Sequence, residues 1–397
     1  MRWMMACLLC FLVFTVTPSF AQRPAQLFAD PESSTMRAAA ALSGTARDDA
    51  LRLAQIPTAS WFASGTPAEV ETAVRAVVTR AAHARRLPVL VAYNIPYRDC
   101  ALYSAGGAAD ASAYLAWIRG FAAGVGDRQA IVILEPDGLG VIPWHRTLAG
   151  ELEACRPEGQ DESAARRRYA MLSAAVDIFA ALPNVLTYLD GTGSSWLAPG
   201  EIAARLIRAN VARTAGFFLN VSNFESDDRV VPYARWVSDC VALVTGGRLA
   251  PQDCPSQHRP ANFHDSSTWR RTDLAYARLF RQTGMRRDPR RQLHAVIDTS
   301  RNGRGSWHAP AGRYRDAETW CNPPGRGLGR QPTPNSGEPL IDAFLWIKIP
   351  GESDGECFRG TAGPLDPERQ IRAPAAGRWF PQQARELIKL ANPPLPR

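Results

Sequence analysis

Short apolar runs alternate along the chain with longer segments of helical period. Residues 130–134 read Ala-Ile-Val-Ile-Leu, and Glu135-Pro136-Asp137 ends the run. An apolar, β-branched run of this length, stopped by a proline, is the pattern of a strand buried on both faces. Residues 88–94, 185–189, 293–297 and 343–347 repeat it. Between these runs apolar residues recur at three and four. Val70, Val74, Val77 and Val78 share one side of a helix expected over 67–86. Tyr114, Ile118 and Phe121 do so over 109–125, and Leu172, Val176 and Phe179 over 163–182. Further helices are expected over 200–214, 272–283 and 380–390. Strand followed by helix, repeated at least six times, predicts an α/β fold with a parallel sheet.

Each apolar run leads to polar residues. Asp137 follows 130–134, and Arg98-Asp99-Cys100 follows 88–94. Asp190 and Asp298 follow the next two runs, and Lys348, Glu352 and Asp354 follow 343–347. One strand-end aspartate is most often a helix cap or a salt-bridge partner. Acids in the same place on several strands instead predict a cleft lined with carboxylates, where α/β enzymes hold their chemistry. Their spread favours a closed barrel, since an open sheet gathers its site at one switch point. No Gly-rich phosphate loop is present, so no nucleotide cofactor is expected.

The start of the chain is set apart. Arg2, an apolar stretch over 4–16 and Ser19-Phe20-Ala21 form a secretory signal peptide cleaved near Ala21. The stretch is short for a bilayer span, and no membrane association is expected. Removing 21 of 397 residues leaves 376, enough for a single catalytic domain over 22–397 built as one barrel with long loops. No repeat, linker or second module is visible. The net charge of +8 becomes +7 without Arg2. The cations are almost all arginine, with Lys348 and Lys389 the two lysines. The arginine runs at 166–168, 270–271, 286–287 and 290–291 read as solvated helix faces. Nucleic-acid binding would also require interleaved aromatics and a reading motif.

Cys7 and Cys10 leave with the leader, and Cys100, Cys155, Cys240, Cys254, Cys321 and Cys357 remain. An even number in an exported chain predicts three disulfides, with fifteen possible connectivities. Order along the chain favours neighbours: Cys100–Cys155, Cys240–Cys254 and Cys321–Cys357. No Cys-x-x-Cys survives maturation and the histidines are scattered, so neither a zinc site nor any other metal is expected.

Two loops are long, 246–271 and 302–339, and the second holds Trp307 and Trp320. Acids with exposed aromatics at one barrel mouth suit a sugar polymer. Rings stack on the apolar faces of pyranoses while polar groups take the hydroxyls. Cleaving a glycosidic bond needs one carboxyl to protonate the leaving oxygen and another to act on water or attack. Burial or a neighbouring carboxylate keeps the first protonated near neutral pH. Asp99 and Asp137, on adjacent strand ends, are candidates for such a pair.

Several blocks carry a family resemblance. Tyr93-Asn-Ile-Pro-Tyr-Arg98-Asp99-Cys100 and Leu134-Glu-Pro-Asp137 closely resemble the two signatures of glycoside hydrolase family 6, the inverting β-1,4-glucanases. Tyr188-Leu-Asp190 with Trp196, Ile297-Asp298-Thr-Ser-Arg-Asn302-Gly303, Trp320-Cys321-Asn322 and Trp346-Ile-Lys348-Ile-Pro-Gly-Glu352-Ser-Asp354-Gly355 resemble further family blocks in order. The resemblance runs from about Leu27 to the Asn392-Pro-Pro ending. It implies a distorted parallel β/α barrel of fewer than eight strands, with the site at the carboxyl ends of the strands. It implies Asp137 as general acid, with Asp99 raising its pKa and arranging the water. Tyr93 lies under the distorting sugar, Arg98 balances the charge of Asp99, and Ser104 holds the water. Asp354 is the candidate base, with a water chain toward Asp99 the alternative. Trp61, Trp196 and Trp320 resemble stacking platforms. Asp190, Asn223, Asn302, Lys348 and Glu352 are candidate sugar contacts. The family pairs Cys100 with Cys155 and Cys321 with Cys357. No cofactor is implied, and the partner is a β-1,4-glucan polymer or oligosaccharide met by a monomer.

Two departures bear on mode of action. Where many members read Asp-Ala-Gly-His, this chain reads Asp190-Gly-Thr-Gly193, so one hydroxyl contact is lost. A second tryptophan usual past Trp196 in tunnel-forming members is replaced by Pro199. Cys357 follows Asp354 by three positions, where processive members insert a long covering loop. An open cleft and an endo-acting, secreted enzyme are therefore expected. A cellobiohydrolase and a non-catalytic glucan-binding protein are the competing readings.

Overall fold

The computed structural model describes residues 26–395, and the leader expected over 1–21 lies outside the described residues. Seven strands pair in chain order, all parallel. They are β1 (Ser60–Phe62), β2 (Val89–Ala92), β3 (Ala130–Leu134), β4 (Val185–Asp190), β5 (Gly216–Leu219), β6 (His294–Asp298) and β7 (Ile341–Leu345). The helices are α1 (Ser34–Ala40), α2 (Gly44–Ala54), α3 (Pro67–His83), α4 (Ala111–Val125), α5 (Ser163–Ala180), α6 (Pro199–Arg208), α7 (Asp227–Thr245), α8 (Arg270–Thr283) and α9 (Pro381–Lys389).

The sheet curls into a distorted barrel. Ladders join each strand to the next from β1 to β7. At the seam between β7 and β1, Ala59 N–H donates to Trp346 O at 3.0 Å and the Trp61 indole N–H to Ile347 O at 2.8 Å. Leu53 of α2 and Leu387 of α9 pack there with Trp346. The period-two alternation of the strands sorts their side chains into two cores. Val89, Val91, Ile131, Ile133, Leu186, Tyr188, Phe218, Val296, Ala343 and Leu345 fill the barrel. Leu90, Ala92, Val132, Leu134, Leu189, Phe217 and Ile297 pack outward with the helices. Burial on both faces is why these strands read as continuous apolar runs.

Helix starts follow local chemistry. Thr66 and Glu69 form a capping box before α3 with Pro67 in the first turn, and Asp110 caps α4 through Ala113 N–H at 2.8 Å. The expected 200–214 helix stops at Arg208 because Asn210 turns left-handed, with φ 65°. β7 ends at Leu345 rather than 347, because the Ile347 and Lys348 N–H groups donate to the Asp298 carboxylate. β1, β5, α1, α2 and α7 were not anticipated. The two strands are three and four residues long, and α7 carries Pro232 inside it.

The three disulfides join sequence neighbours: Cys100–Cys155, Cys240–Cys254 and Cys321–Cys357. The arginine runs are not uniformly solvated. Arg166 and Arg167 are exposed, but Arg168 is 2% exposed, on the same face of α5 as Ala164, Ala165, Leu172 and Ala175. Arg287 closes on buried Asp239 at 2.6 Å.

At the amino end of the barrel, Asp342 accepts from Tyr188 Oη at 2.6 Å and lies 2.7 Å from His294 Nδ1. His294 Nε2 faces the Pro289 carbonyl. With an acceptor on each ring nitrogen, and chiefly through the Asp342 hydrogen bond, the imidazole is raised above its ordinary value of 6.5. A raised folded-state value contributes stability that is full below the unfolded value and lost as pH rises through the folded one. His294→Gln is expected to lower Tm most at pH 5–6, with the gap to wild type narrowing toward pH 9. A gap independent of pH in thermal melts would rule out the charged imidazole as its source.

Candidate active site

The chain turns sharply after β3. Glu135 and Asp137 both take left-handed backbone, φ 55° and 63°, around Pro136. Neither residue enters that region cheaply, so the turn needs outside support. Asp190, at the end of β4, gives it. Its Oδ2 accepts Leu139 N–H at 3.1 Å and Gly140 N–H at 2.9 Å, and its Oδ1 accepts Thr192 N–H at 2.8 Å. Arg205 of α6 takes the other polarity of the same turn, donating to Leu139 O at 2.8 Å while paired with Glu201 and Glu153. Gly140 has no side chain because the Trp196 ring occupies that space, 2.5 Å from where a Cβ would stand. Trp196 is left 39% exposed.

Asp137 is partly exposed. Tyr93 Oη donates to its Oδ2 at 3.4 Å, and the Tyr93 ring stands edge-on to Trp61 at 5.5 Å. Burial of the carboxyl, then the charges of Asp190 and Asp99, hold Asp137 well above the usual carboxylate range. Asp190 itself is raised by burial, to about 6, against the pull of its three backbone donors.

Asp99 lies in the loop after β2, where Asp99 and Cys100 are also left-handed. Its Oδ2 accepts Ser104 N–H at 2.7 Å. Burial raises its carboxyl, opposed by that amide and by the charge of Arg98. Arg98 was expected to balance the charge of Asp99, and its charge does act on that carboxyl, while its hydrogen bonds go to main chain. Its guanidinium donates to the carbonyls of Ser104 (2.8 Å), Ala63 (2.8 Å), Tyr93 (2.7 Å) and Ala105 (3.2 Å), and stacks over the Tyr93 ring at 4.6 Å. It shapes the loop, and its field alone reaches Asp99.

On the opposite wall, Asp354 sits among donors. Arg301 Nη1 lies 2.8 Å and Asn322 N–H 2.9 Å from its Oδ2, and Lys348 Nζ 3.3 Å from its Oδ1. Burial alone would raise this carboxyl, but the Arg301 and Lys348 charges outweigh it and hold it below the usual range. Lys348 also donates to Ser353 O at 3.2 Å. Glu352 accepts from Ser34 Oγ at 2.5 Å and is raised chiefly by burial. Trp320 is 37% exposed and tilts against Tyr103 at 5.7 Å. Tyr103 in turn packs on Gly355 and donates to Glu318 at 2.7 Å, so the Asp99 loop touches the Asp354 wall.

Three expected sugar contacts, Asp190, Asn223 and Asn302, and the strand-end Asp298 are engaged in holding the turns around the mouth. Asn302 is buried and donates to Glu225 O (3.0 Å) and Asp227 Oδ1 (2.8 Å). Asn223 donates to Val221 O at 3.1 Å within its own turn. Asp298 accepts Ser300 N–H (2.9 Å) and Lys348 N–H (2.9 Å). Thus Asp190 and Asp298 brace the mouth rather than line it as free acids. Glu135, Arg168, Arg205, Arg301 and Tyr103 were not anticipated. Arg168 had a legible signal, its place on the apolar face of α5.

Comparison with known proteins gives the family. The family model described as Glycosyl hydrolases family 6 matches residues 22–391. Endoglucanase 1 of Streptomyces halstedii is 35% identical over 365 residues, 91% of this chain and 88% of that protein. Endoglucanase A of Thermobispora bispora is 34% identical over 86% of this chain, which spans 60% of that longer protein. The solved endoglucanase Cel6 from Mycobacterium tuberculosis, in complex with methyl-cellobiosyl-4-deoxy-4-thio-β-D-cellobioside, superposes with a TM-score of 0.66 at 31% identity, covering 93% of this chain and 97% of that one. The matched region holds the barrel and both left-handed carboxylate loops, and the chain belongs to glycosyl hydrolases family 6, as a glycoside hydrolase.

Proposed function

We propose that the protein is a secreted cellulase that hydrolyses internal β-1,4-glucosidic bonds of cellulose or a related β-glucan with inversion, using Asp137 as general acid. The observation that carries this reading is the place of the Asp137 carboxyl, on a left-handed turn after β3 that Asp190 braces, within reach of the Tyr93 hydroxyl. Burial, Asp190 and Asp99 favour its protonated form, and the Tyr93 hydroxyl lies 3.4 Å away. Asp137 donates its proton to the leaving glycosidic oxygen as the bond to the anomeric carbon breaks. Water attacks that carbon from the opposite face of the sugar, and its proton passes through water toward Asp99, beside Ser104. Asp354 is a poor base on this geometry, since two cations and a backbone amide already hold it ionised. It serves better as the counter-charge that keeps Lys348 and Arg301 in place. Trp61, Trp196 and Trp320 offer stacking faces, and Lys348 and Glu352 polar contacts to hydroxyls.

A β-1,4-glucan substrate is supported by the relatives and by the thio-oligosaccharide held in the related structure. Internal cleavage is supported by the short step from Asp354 to Cys357, where the Cys321–Cys357 bond closes the segment and leaves no long covering loop. The relatives include both endoglucanases, at 28–35% identity, and cellobiohydrolases, at 28%. Export is supported by the leader sequence and three disulfides.

Asp137→Ala is expected to lower hydrolysis of unactivated glucan by about 10²–10⁴-fold while calorimetry still detects oligosaccharide binding. Undiminished turnover would remove Asp137 from the mechanism. Because the acid acts only when protonated, wild-type kcat/KM is expected to fall on the alkaline side, as pH rises through the raised Asp137 value. Proton NMR of early product is expected to show the α-anomer, and β-anomer first would mean retention. On carboxymethylcellulose, viscosity is expected to fall well ahead of reducing-end release. Slow viscosity loss with mainly cellobiose released would favour a cellobiohydrolase.

A further inference from the structure

The loops that carry Asp99 and Asp137 leave adjacent strands, and Ile95 of one and Leu139 and Ile142 of the other anchor their bases in the outer core. Farther out, surface cavities of about 480 and 620 Å³ flank the Asp99 loop, and both reach Gly106, Gly107, Ala108 and Ala109. Buried polar contacts bridge the loops directly. Arg168 Nη1 donates to Gly138 O (3.0 Å) and Val141 O (3.0 Å) in the Asp137 loop, and its Nη2 donates to Pro96 O (2.8 Å) in the Asp99 loop. Glu135, fully buried two residues before Asp137, reaches the other way, accepting Asn94 N–H at 3.0 Å and Ile95 N–H at 3.1 Å. The Glu135 carboxyl therefore grips the Asn94 and Ile95 amides, and the Arg168 guanidinium the Pro96 carbonyl. The Cys100–Cys155 bond ties the same two loops farther out.

We propose that Arg168 is a positioning residue for hydrolysis: its fork sets the distance between the Asp99 and Asp137 carboxyls. A guanidinium suits this task because its planar donors address carbonyls on two separate loops at once, which one ammonium nitrogen does not. The position lies on a helix outside the barrel and touches no substrate, so its effect passes through the two aspartates. The inference rests on the general-acid reading of Asp137. The groups acting on the Asp137 carboxyl are Asp190 from β4, Asp99 and the Tyr93 hydroxyl from the β2 loop, with Arg98 stacked on Tyr93. Releasing the Asp99 loop withdraws one of those anions and admits water, and both changes lower the acid's pKa.

The test compares wild type, Arg168→Met, Arg168→Lys and Asp137→Asn on a soluble cello-oligosaccharide across pH. Displacing reacting groups by about 1 Å costs on the order of 10²-fold, so Arg168→Met is expected to lose about that much kcat with KM nearly unchanged. Its alkaline limb is expected to move to lower pH. Arg168→Lys keeps the buried charge and the fold but spans fewer carbonyls, and is expected to shift the limb in the same direction by less. Loss of folded protein lowers the whole profile without moving its limb. An unmoved limb in the folded variants, with activity tracking folded fraction, would overturn the positioning role. Asp137→Asn separates the two ideas: if it retains turnover, the acid reading fails, whereas an inactive Asp137→Asn with an unmoved Arg168 limb overturns the positioning role alone.

Discussion

The barrel depends on a requirement of buried backbone. Strands satisfy their own amides and carbonyls, but the turns that follow them leave the ladder while still largely shielded from water. Each unpaired N–H or C=O there would cost about 1–3 kcal/mol. Side-chain carboxylates from a neighbouring strand end fill the gap. Glu135 after β3 takes two amides of the β2 loop, Asp190 of β4 takes two of the β3 loop, and Asp298 of β6 takes two of the segment after β7. Arginines do the reverse for carbonyls: half-buried Arg98 in the β2 loop, and buried Arg168 and Arg205 reaching in from the helices. The mouth is held by charged side chains clasping main chain, and the disulfides reinforce that arrangement from outside.

This explains how far the sequence could be read. Strands buried on both faces announce themselves as unbroken apolar runs, so β2, β3, β4, β6 and β7 were legible along with six helices. β1 and β5 are too short for any period to show, and their membership of the barrel comes from ladders with neighbours rather than from their own residues. The acids were legible in place but not in role. A strand-end aspartate looks the same whether it faces a sugar or a row of amides, and only the neighbouring turn decides. Asp190 and Asp298 were read as part of a carboxylate lining, and they turned out to hold loops. Arg168 was read with its exposed neighbours because the three arginines are consecutive. On a helix consecutive residues point about 100° apart, so the run divides between water and core.

The same interaction that solves the backbone problem also creates the chemistry proposed for the site. Asp190 must be an acceptor on both oxygens, because three amides point at it. An amide side chain would turn a donor toward one of them. A carboxylate is therefore called for by folding alone, and its charge then falls on Asp137, on the turn those amides belong to. Across the mouth the balance is opposite: Asp354 meets Arg301 and Lys348 and stays ionised. Two aspartates of equal intrinsic acidity are thus driven apart, one toward the protonated form by anionic neighbours and the other toward the ionised form by cations. On the proposed mechanism this division assigns their work. A proton donor must sit where anions and burial retain its proton, and a carboxylate already shared by two cations and an amide has little basicity left for water. Asp99 lies between these extremes: it has one amide donor at 2.7 Å, feels Arg98 only through its field, and stays partly exposed. Asp354 has both oxygens held by donors while Asp99 has one held, and that is the physical ground for drawing the departing proton toward Asp99 rather than Asp354.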